Sequence, residues 1–251
     1  MTFRCEGTFT ALVTPMRDDH DRSLDLDALE RLVEQQIAGG VDGLVACGTT
    51  GEAATLSDDE WAEVIRRSRQ FAAGRVPVVA GTGANSTREA IEHSKHAKKL
   101  GADYSLTVVP YYNKPSQSGL SAHFRAVADA VSCEVMLYNV PGRTVVNVNN
   151  DTILRLAEIP NIIGVKEASG DIGREIDLIN RAWDEFKGLH SRLIIDDDLL
   201  WRELRDRYGD YFEGGTGADA IKSLIDRIDF SEEEIKLREA IDHTSSGRKP
   251  L

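Results

Sequence analysis

Between residues 9 and 166, short runs of β-branched and apolar residues alternate with longer stretches of helical periodicity, and this repeat narrows the fold more than any other feature. The runs at 9–14, 43–47, 76–80, 104–108, 135–138 and 162–166 read as strands. They are apolar on both faces, as strands sandwiched between a barrel core and an outer layer of helices must be. Consecutive βα units imply a parallel sheet. Six such units can be counted. The expected fold is α/β, a (β/α)8-type barrel that stops at six units, followed by a mainly helical C-terminal segment. The expected boundary puts the barrel portion at 1–171 and an acidic helical segment at 172–251.

The helices carry their own punctuation. Leu26, Leu29, Val33 and Ile37 share one face before Gly39 and Gly40 end the first helix. Ser57 with Glu60, and Ser86 with Glu89, have the spacing of capping boxes. Each follows or lies near a loop rich in Gly and Thr, GTTGEAATL and GTGAN, placed after a strand's C-terminal end. Barrels of this kind build their active sites there. Beyond Gly170 the texture changes: Ile176, Ile179, Trp183 and Phe186 form a helical stripe ahead of the acidic DDDLLWRELRDRYGDYF. The one strand candidate is 193–195, with no convincing eighth strand after it, and HTSSGRKPL reads as a polar, frayed end.

A chain of 251 residues, 41% hydrophobic, suffices for one domain of barrel size and leaves no room for a second large one. Net charge of −12 opposes unaided binding to nucleic acid or an anionic membrane. No apolar run approaches the ~20 residues needed to span a bilayer. The opening MTFRCEGTFTALVTP lacks the apolar centre of a signal peptide, so a cytoplasmic location is expected. Cys5, Cys47 and Cys133 are few and scattered, which suits reduced, packed thiols.

Several residues at strand ends have the chemistry of a site. Lys166 closes the apolar run Ile162-Ile163-Gly164-Val165. An amine held among hydrocarbon is a candidate nucleophile, because only the neutral form attacks a ketone to give an imine. The competing reading is a lysine snorkelling from the barrel rim. Tyr138 ends the preceding strand, where its phenol could approach Lys166 and shuttle protons; an ordinary strand aromatic is the alternative. Arg143 follows in a turn shaped by Pro141 and Gly142 and could clamp a carboxylate through two parallel hydrogen bonds, unless it is a plain surface arginine. In Gly48-Thr49-Thr50-Gly51-Glu52, small residues let amides and hydroxyls surround an anion, although Gly-Thr loops are also common connectors. Tyr111 and Tyr112 suggest an interface, a site phenol or packing. His93 and His96 share a helix face with Lys95 and Lys99, with no carboxylate partner evident, and read as solvated surface. Asp196 to Asp198 are more simply a helix start than a magnesium cluster. No metal is expected.

Taken in order, GTTGEAATL, AGTGAN, PYYNKPSQ, LYNVPGRT and IIGVKEASG closely resemble the dihydrodipicolinate synthase family of pyruvate-dependent class I aldolases over about residues 7–170. The resemblance implies condensation of pyruvate with aspartate semialdehyde to 4-hydroxy-tetrahydrodipicolinate, in lysine and diaminopimelate biosynthesis. It implies no cofactor, since the chemistry runs through a covalent imine on Lys166. Thr49, Tyr112 and Tyr138 would form the proton relay, Tyr112 being lent by a neighbouring subunit of a dimer or tetramer. Thr50, with Gly48 and the rest of its loop, would hold pyruvate's carboxylate, and Arg143 that of the semialdehyde. GTTGE in place of GSTGE, and the arginine of PGRT, favour the synthase over N-acetylneuraminate lyases, with sugar-acid aldolases as the alternative. Asn85, Glu89 and Tyr111 fit the family's regulatory lysine site, but Asp58 and Trp61 stand where histidines often occur, so feedback inhibition is not implied. Residues of about 174–251 resemble instead an internal segment of the bacterial RNA polymerase β′ subunit, without its aspartate-rich magnesium motif. That second resemblance implies a chimeric reading frame, with an inactive protein as the alternative to an active lyase.

Overall fold

A computed structural model describes residue 5, residues 7–185 and residues 193–195. The chain divides into two units, Met1–Lys166 and Glu167–Leu251.

In the first unit, β1 (Phe9–Ala11), β2 (Gly43–Ala46), β3 (Val78–Gly81), β4 (Tyr104–Val108), β5 (Glu134–Asn139) and β6 (Ile162–Glu167, whose last residue begins the second unit) lie side by side in chain order. The pairings from β1 to β5 are parallel and in simple register, for example Val45 with Val79 and Val108 with Tyr138. Between them run α1 (Leu26–Ala38), α2 (Asp58–Ala72), α3 (Thr87–Lys99), α4 (Gln117–Ala130), the single turn α5 (Pro141–Thr144) and α6 (Asn150–Ala157). This is the curled half-barrel of six parallel strands and covering helices that the alternation implies.

Strand ends differ from the sequence reading where proline or a side-chain bond intervenes. Strand β1 ends at Ala11 rather than 14: the Leu12 amide still donates to Val45 O at 2.9 Å, but the Thr14 hydroxyl turns to donate to Gly51 O at 2.7 Å and Pro15 has no amide to offer. Strand β3 starts at Val78 rather than 76, since Pro77 cannot donate within a sheet. Helix starts are fixed locally: Ser57 and Glu60 form a complete capping box, and the hydroxyls of Ser86 and Ser116 and the carbonyl oxygen of Asn149 accept the N3 amides of their helices.

The core between sheet and helices is built from Leu12, Leu29, Val33, Leu44, Ile65 and Val78, all nearly inaccessible. A polar cluster interrupts it. The hydroxyls of Thr82, Ser94, Ser105 and Thr107, all buried, bond to one another at 2.6 to 3.4 Å and so satisfy each other where β3, β4 and α3 meet. The three cysteines are buried and none is in a disulfide, and burial pushes the Cys47 thiol up to about 12. His93 and His96 are not simply solvated: their rings pack on buried Trp61 at 5.1 and 5.6 Å, and His93 Nε2 lies 3.7 Å from the Asp58 carboxylate, a partner that the sequence did not reveal. Helical spacing links residues on one helix only, whereas this pair joins α2 to α3.

In the second unit, α7 (Ile172–Glu185) spans the expected helical positions 176, 179 and 183, and β7 (Leu193–Ile195) occupies the one expected strand position. Phe186, the Asp196–Asp198 run, the rest of the acidic segment and the polar end lie outside the described residues. Among the described residues no helix is long and apolar enough to cross a membrane.

Candidate active site

Because the strands are parallel, their C-terminal ends share one edge, and each candidate side chain follows or ends a strand there. Lys166 and Tyr138 are each the fifth residue of a six-residue strand, β6 and β5, which are neighbours. Period-two alternation puts Lys166 on the opposite face from the fully buried Glu167. Lys166 is half-buried, and its Nζ lies 4.8 Å from the centroid of the buried Tyr138 ring. The amine thus sits over the ring that carries the phenol. The Tyr138 carbonyl in turn accepts from the Val109 amide at 3.0 Å, which ties the loop after β4 to β5.

The loop after β2 coils back on itself. Cys47 and Glu52 adopt left-handed backbone conformations (φ 53° and 57°), and the amides of Gly51 and Ala53 donate to Gly48 O while that of Glu52 donates to Thr49 O. Those three amides are therefore used inside the loop. Thr49 and Thr50 are exposed, leaving their hydroxyls accessible to a small anion. The end of β3 presses close against the start of that loop, and the residues after β3 press against the end of β4: a Cβ on Gly81 would come within 1.9 Å of Cys47 O, and one on Gly83 within 2.3 Å of Val108 N. Only glycine lets these backbones approach so closely.

Arg143 sits exposed in α5, its amide donating to Val140 O at 2.9 Å. Tyr112 is 88% exposed and adopts a left-handed backbone (φ 71°), an uncommon conformation for a non-glycine residue. The structure thus brings Lys166 and Tyr138 together directly, and sets Gly48, Thr49, Thr50, Tyr112 and Arg143 on loops at the same edge.

Two features escaped sequence reasoning. The buried Asn139, next to Tyr138, bonds across the following loop to Asn147 and Val148. A polar residue ending an apolar strand was the only sign of it. Glu167, next to Lys166, accepts from the Ser169 amide at 3.0 Å and from the Arg174 guanidinium, a pair formed within the second unit that nothing in the local pattern marks.

Comparison with known proteins identifies the family. A model of the "Dihydrodipicolinate synthetase family" matches residues 4–200, about 30 residues beyond the expected end of the family resemblance near 170. The chain is similar to 4-hydroxy-tetrahydrodipicolinate synthase of Neisseria gonorrhoeae, 59% identical over 181 residues, or 72% of this chain and 62% of the relative. It is similar to the enzyme of the same name from Nitrosospira multiformis, 56% identical over 181 residues, 72% of this chain and 60% of the relative. The aligned part thus spans less than two thirds of the length of these curated relatives. Among solved structures, a chloride-inhibited dihydrodipicolinate synthase from Acinetobacter baumannii, complexed with pyruvate, is similar with a TM-score of 0.71 at 37% identity, covering 96% of this chain and 99% of that one. A structure described as the first monomeric dihydrodipicolinate synthase variant gives a TM-score of 0.73 at 28% identity, covering 98% and 97%. With a family model that matches residues 4–200 and relatives 59% identical over 72% of its length, this chain belongs to the dihydrodipicolinate synthetase family.

Proposed function

We propose that this chain is a class I lyase that condenses pyruvate with aspartate semialdehyde to 4-hydroxy-tetrahydrodipicolinate, in lysine and diaminopimelate biosynthesis. The observation that carries the reading is the Lys166 amine held 4.8 Å from the Tyr138 ring at adjacent strand ends. The neutral amine attacks the pyruvate ketone, and loss of water leaves an imine. A methyl proton then leaves through Tyr138, Thr49 and a Tyr112 lent by a second copy of the chain, giving an enamine. Its carbon attacks the aldehyde of the semialdehyde, and the adduct's own amine displaces Lys166 as the ring closes. Gly48 and Thr50 hold the pyruvate carboxylate, and Arg143 holds that of the semialdehyde. The lysine itself supplies the covalent chemistry, so no cofactor or metal takes part.

In this reading the protein works in the cytoplasm as a homo-oligomer, without nucleic acid or membrane as a partner. The expected polymerase resemblance of residues 174–251, the first part of which the family model also covers, is then a join in the reading frame with no transcription chemistry, and sequencing the source gene across codons 165–180 tests that history.

Incubation with pyruvate and borohydride, followed by mass spectrometry, tests the activity. A reduced adduct on Lys166 is expected. Folded protein that yields none refutes the reading, and an adduct that reacts onward with sugar aldehydes but not the semialdehyde moves the chain to another pyruvate aldolase.

A further inference from the structure

We infer that the buried carboxamide of Asn139 is a positioning residue: by closing the loop of residues 140–148 it holds Arg143 in register with Tyr138 and so sets affinity for the second substrate's carboxylate. This rests on the function proposed above.

Asn139 is the last residue of β5 and is completely buried. Its side-chain amide donates to Asn147 Oδ1 at 2.9 Å, and its Oδ1 accepts from the Val148 amide at 3.1 Å. These two bonds close the ends of the loop on the strand that carries Tyr138. A second strap comes from Gln117 at the start of α4, which donates to Asn147 O at 2.8 Å and accepts from the Asn149 amide at 3.0 Å. Within the loop the Thr144 hydroxyl donates to Val140 O at 3.1 Å and accepts from the Val146 amide at 3.4 Å.

The loop needs such a hold. Val145 is β-branched and 65% exposed, yet adopts φ 62° in the left-handed region. A conformation of that kind persists only where surrounding bonds over-determine it, and such strain collects at functional sites. Arg143 lies two residues before it and is itself exposed, so no packing of its own side chain into the core sets its place. The backbone must do so. With Asn139 bridging both ends, the distance from Tyr138 to Arg143 becomes a property of one rigid piece, as recognition of a second carboxylate beside a fixed imine requires.

A merely structural asparagine would disturb every kinetic constant together, whereas a positioning one disturbs a single substrate. The test uses the full chain with Asn139→Leu, which keeps volume and removes both bonds, and with Asn147→Ala, an exposed position that loses only the clamp partner. The Michaelis constant for aspartate semialdehyde is expected to rise about ten- to hundredfold. That for pyruvate, and the yield of borohydride-reduced adduct on Lys166, are expected to stay unchanged. Asn147→Asp keeps the acceptor and is expected to restore semialdehyde affinity. An unchanged semialdehyde constant in Asn147→Ala, or a loss shared equally by pyruvate and semialdehyde, overturns the inference even if Asn139→Leu fails to fold. No pyruvate adduct in the unaltered protein overturns the proposed function, and the clamp's role falls with it.

Discussion

At the scale of single residues, Tyr138 and Lys166 form a pair whose ring contact and hydroxyl chemistry can be separated. Tyr138→Phe keeps the ring under the Lys166 amine and removes only the hydroxyl. If the phenol moves protons, turnover should fall by about 10²- to 10⁴-fold, as measured by steady-state kinetics with saturating pyruvate. If the ring acts only as packing, turnover should barely change. Val145 offers a test of stability instead. Its left-handed backbone costs an L-residue about 1–2 kcal/mol, part of which glycine's greater unfolded entropy offsets. Val145→Gly should therefore raise the unfolding free energy by up to about 1 kcal/mol in urea titrations. The same change should loosen the loop that carries Arg143, giving a more stable protein with weaker affinity for the semialdehyde.

At the scale of elements, the joint between α3 and α4 makes the fold sensitive to acid. His123 on α4 is buried, its Nδ1 is 2.9 Å from the Thr87 hydroxyl on α3, and burial lowers its pKa from 6.5 to about 4. Below 6.5 the unfolded chain takes up a proton that the folded chain refuses until about 4. The unfolded state therefore binds more protons in that window, and stability present at neutral pH drains away as the pH falls through it. The contribution is roughly 3 kcal/mol across the window, at about 1.4 kcal/mol per pH unit. Replacing His123 with Gln should flatten the acid limb of the stability profile between pH 6.5 and 4, as followed by denaturant midpoints at successive pH values. An acid limb as steep as before would assign the sensitivity to other groups.

At the scale of the whole molecule, Tyr112 points to assembly. A phenol that is 88% exposed and set on a left-handed backbone is poorly explained within one chain, and the proposed mechanism has it completing a neighbour's site. Mixed oligomers test this. Lys166→Met and Tyr112→Phe, each nearly inactive alone, should regain part of the activity when co-folded, because a mixed pair holds one site with both residues intact. Failure to complement, with mixed oligomers demonstrated by native mass spectrometry, would place Tyr112 in its own chain's site or outside the chemistry.

Much of this was legible from residue order alone. Apolar runs such as Tyr104–Val108 became a strand with the bounds that their composition implied, and Ser57 with Glu60 capped a helix as their spacing required, because both effects act over a few neighbouring residues. Parallel strands then placed Lys166, Tyr138 and the Gly48–Glu52 loop at one edge by topology. Contacts between distant segments were not legible. The bonds from Thr82 to Ser105 and Thr107 and from Ser94 to Ser105, the packing of His93 on Trp61, and the Asn139 clamp join residues 8 to 32 positions apart, and no local period encodes such pairings. Local chemistry in the sequence determined which elements form and which side chains reach the sheet edge. Only the tertiary structure decided how those side chains are held, because a buried polar group must find its partner wherever the packed chain brings one.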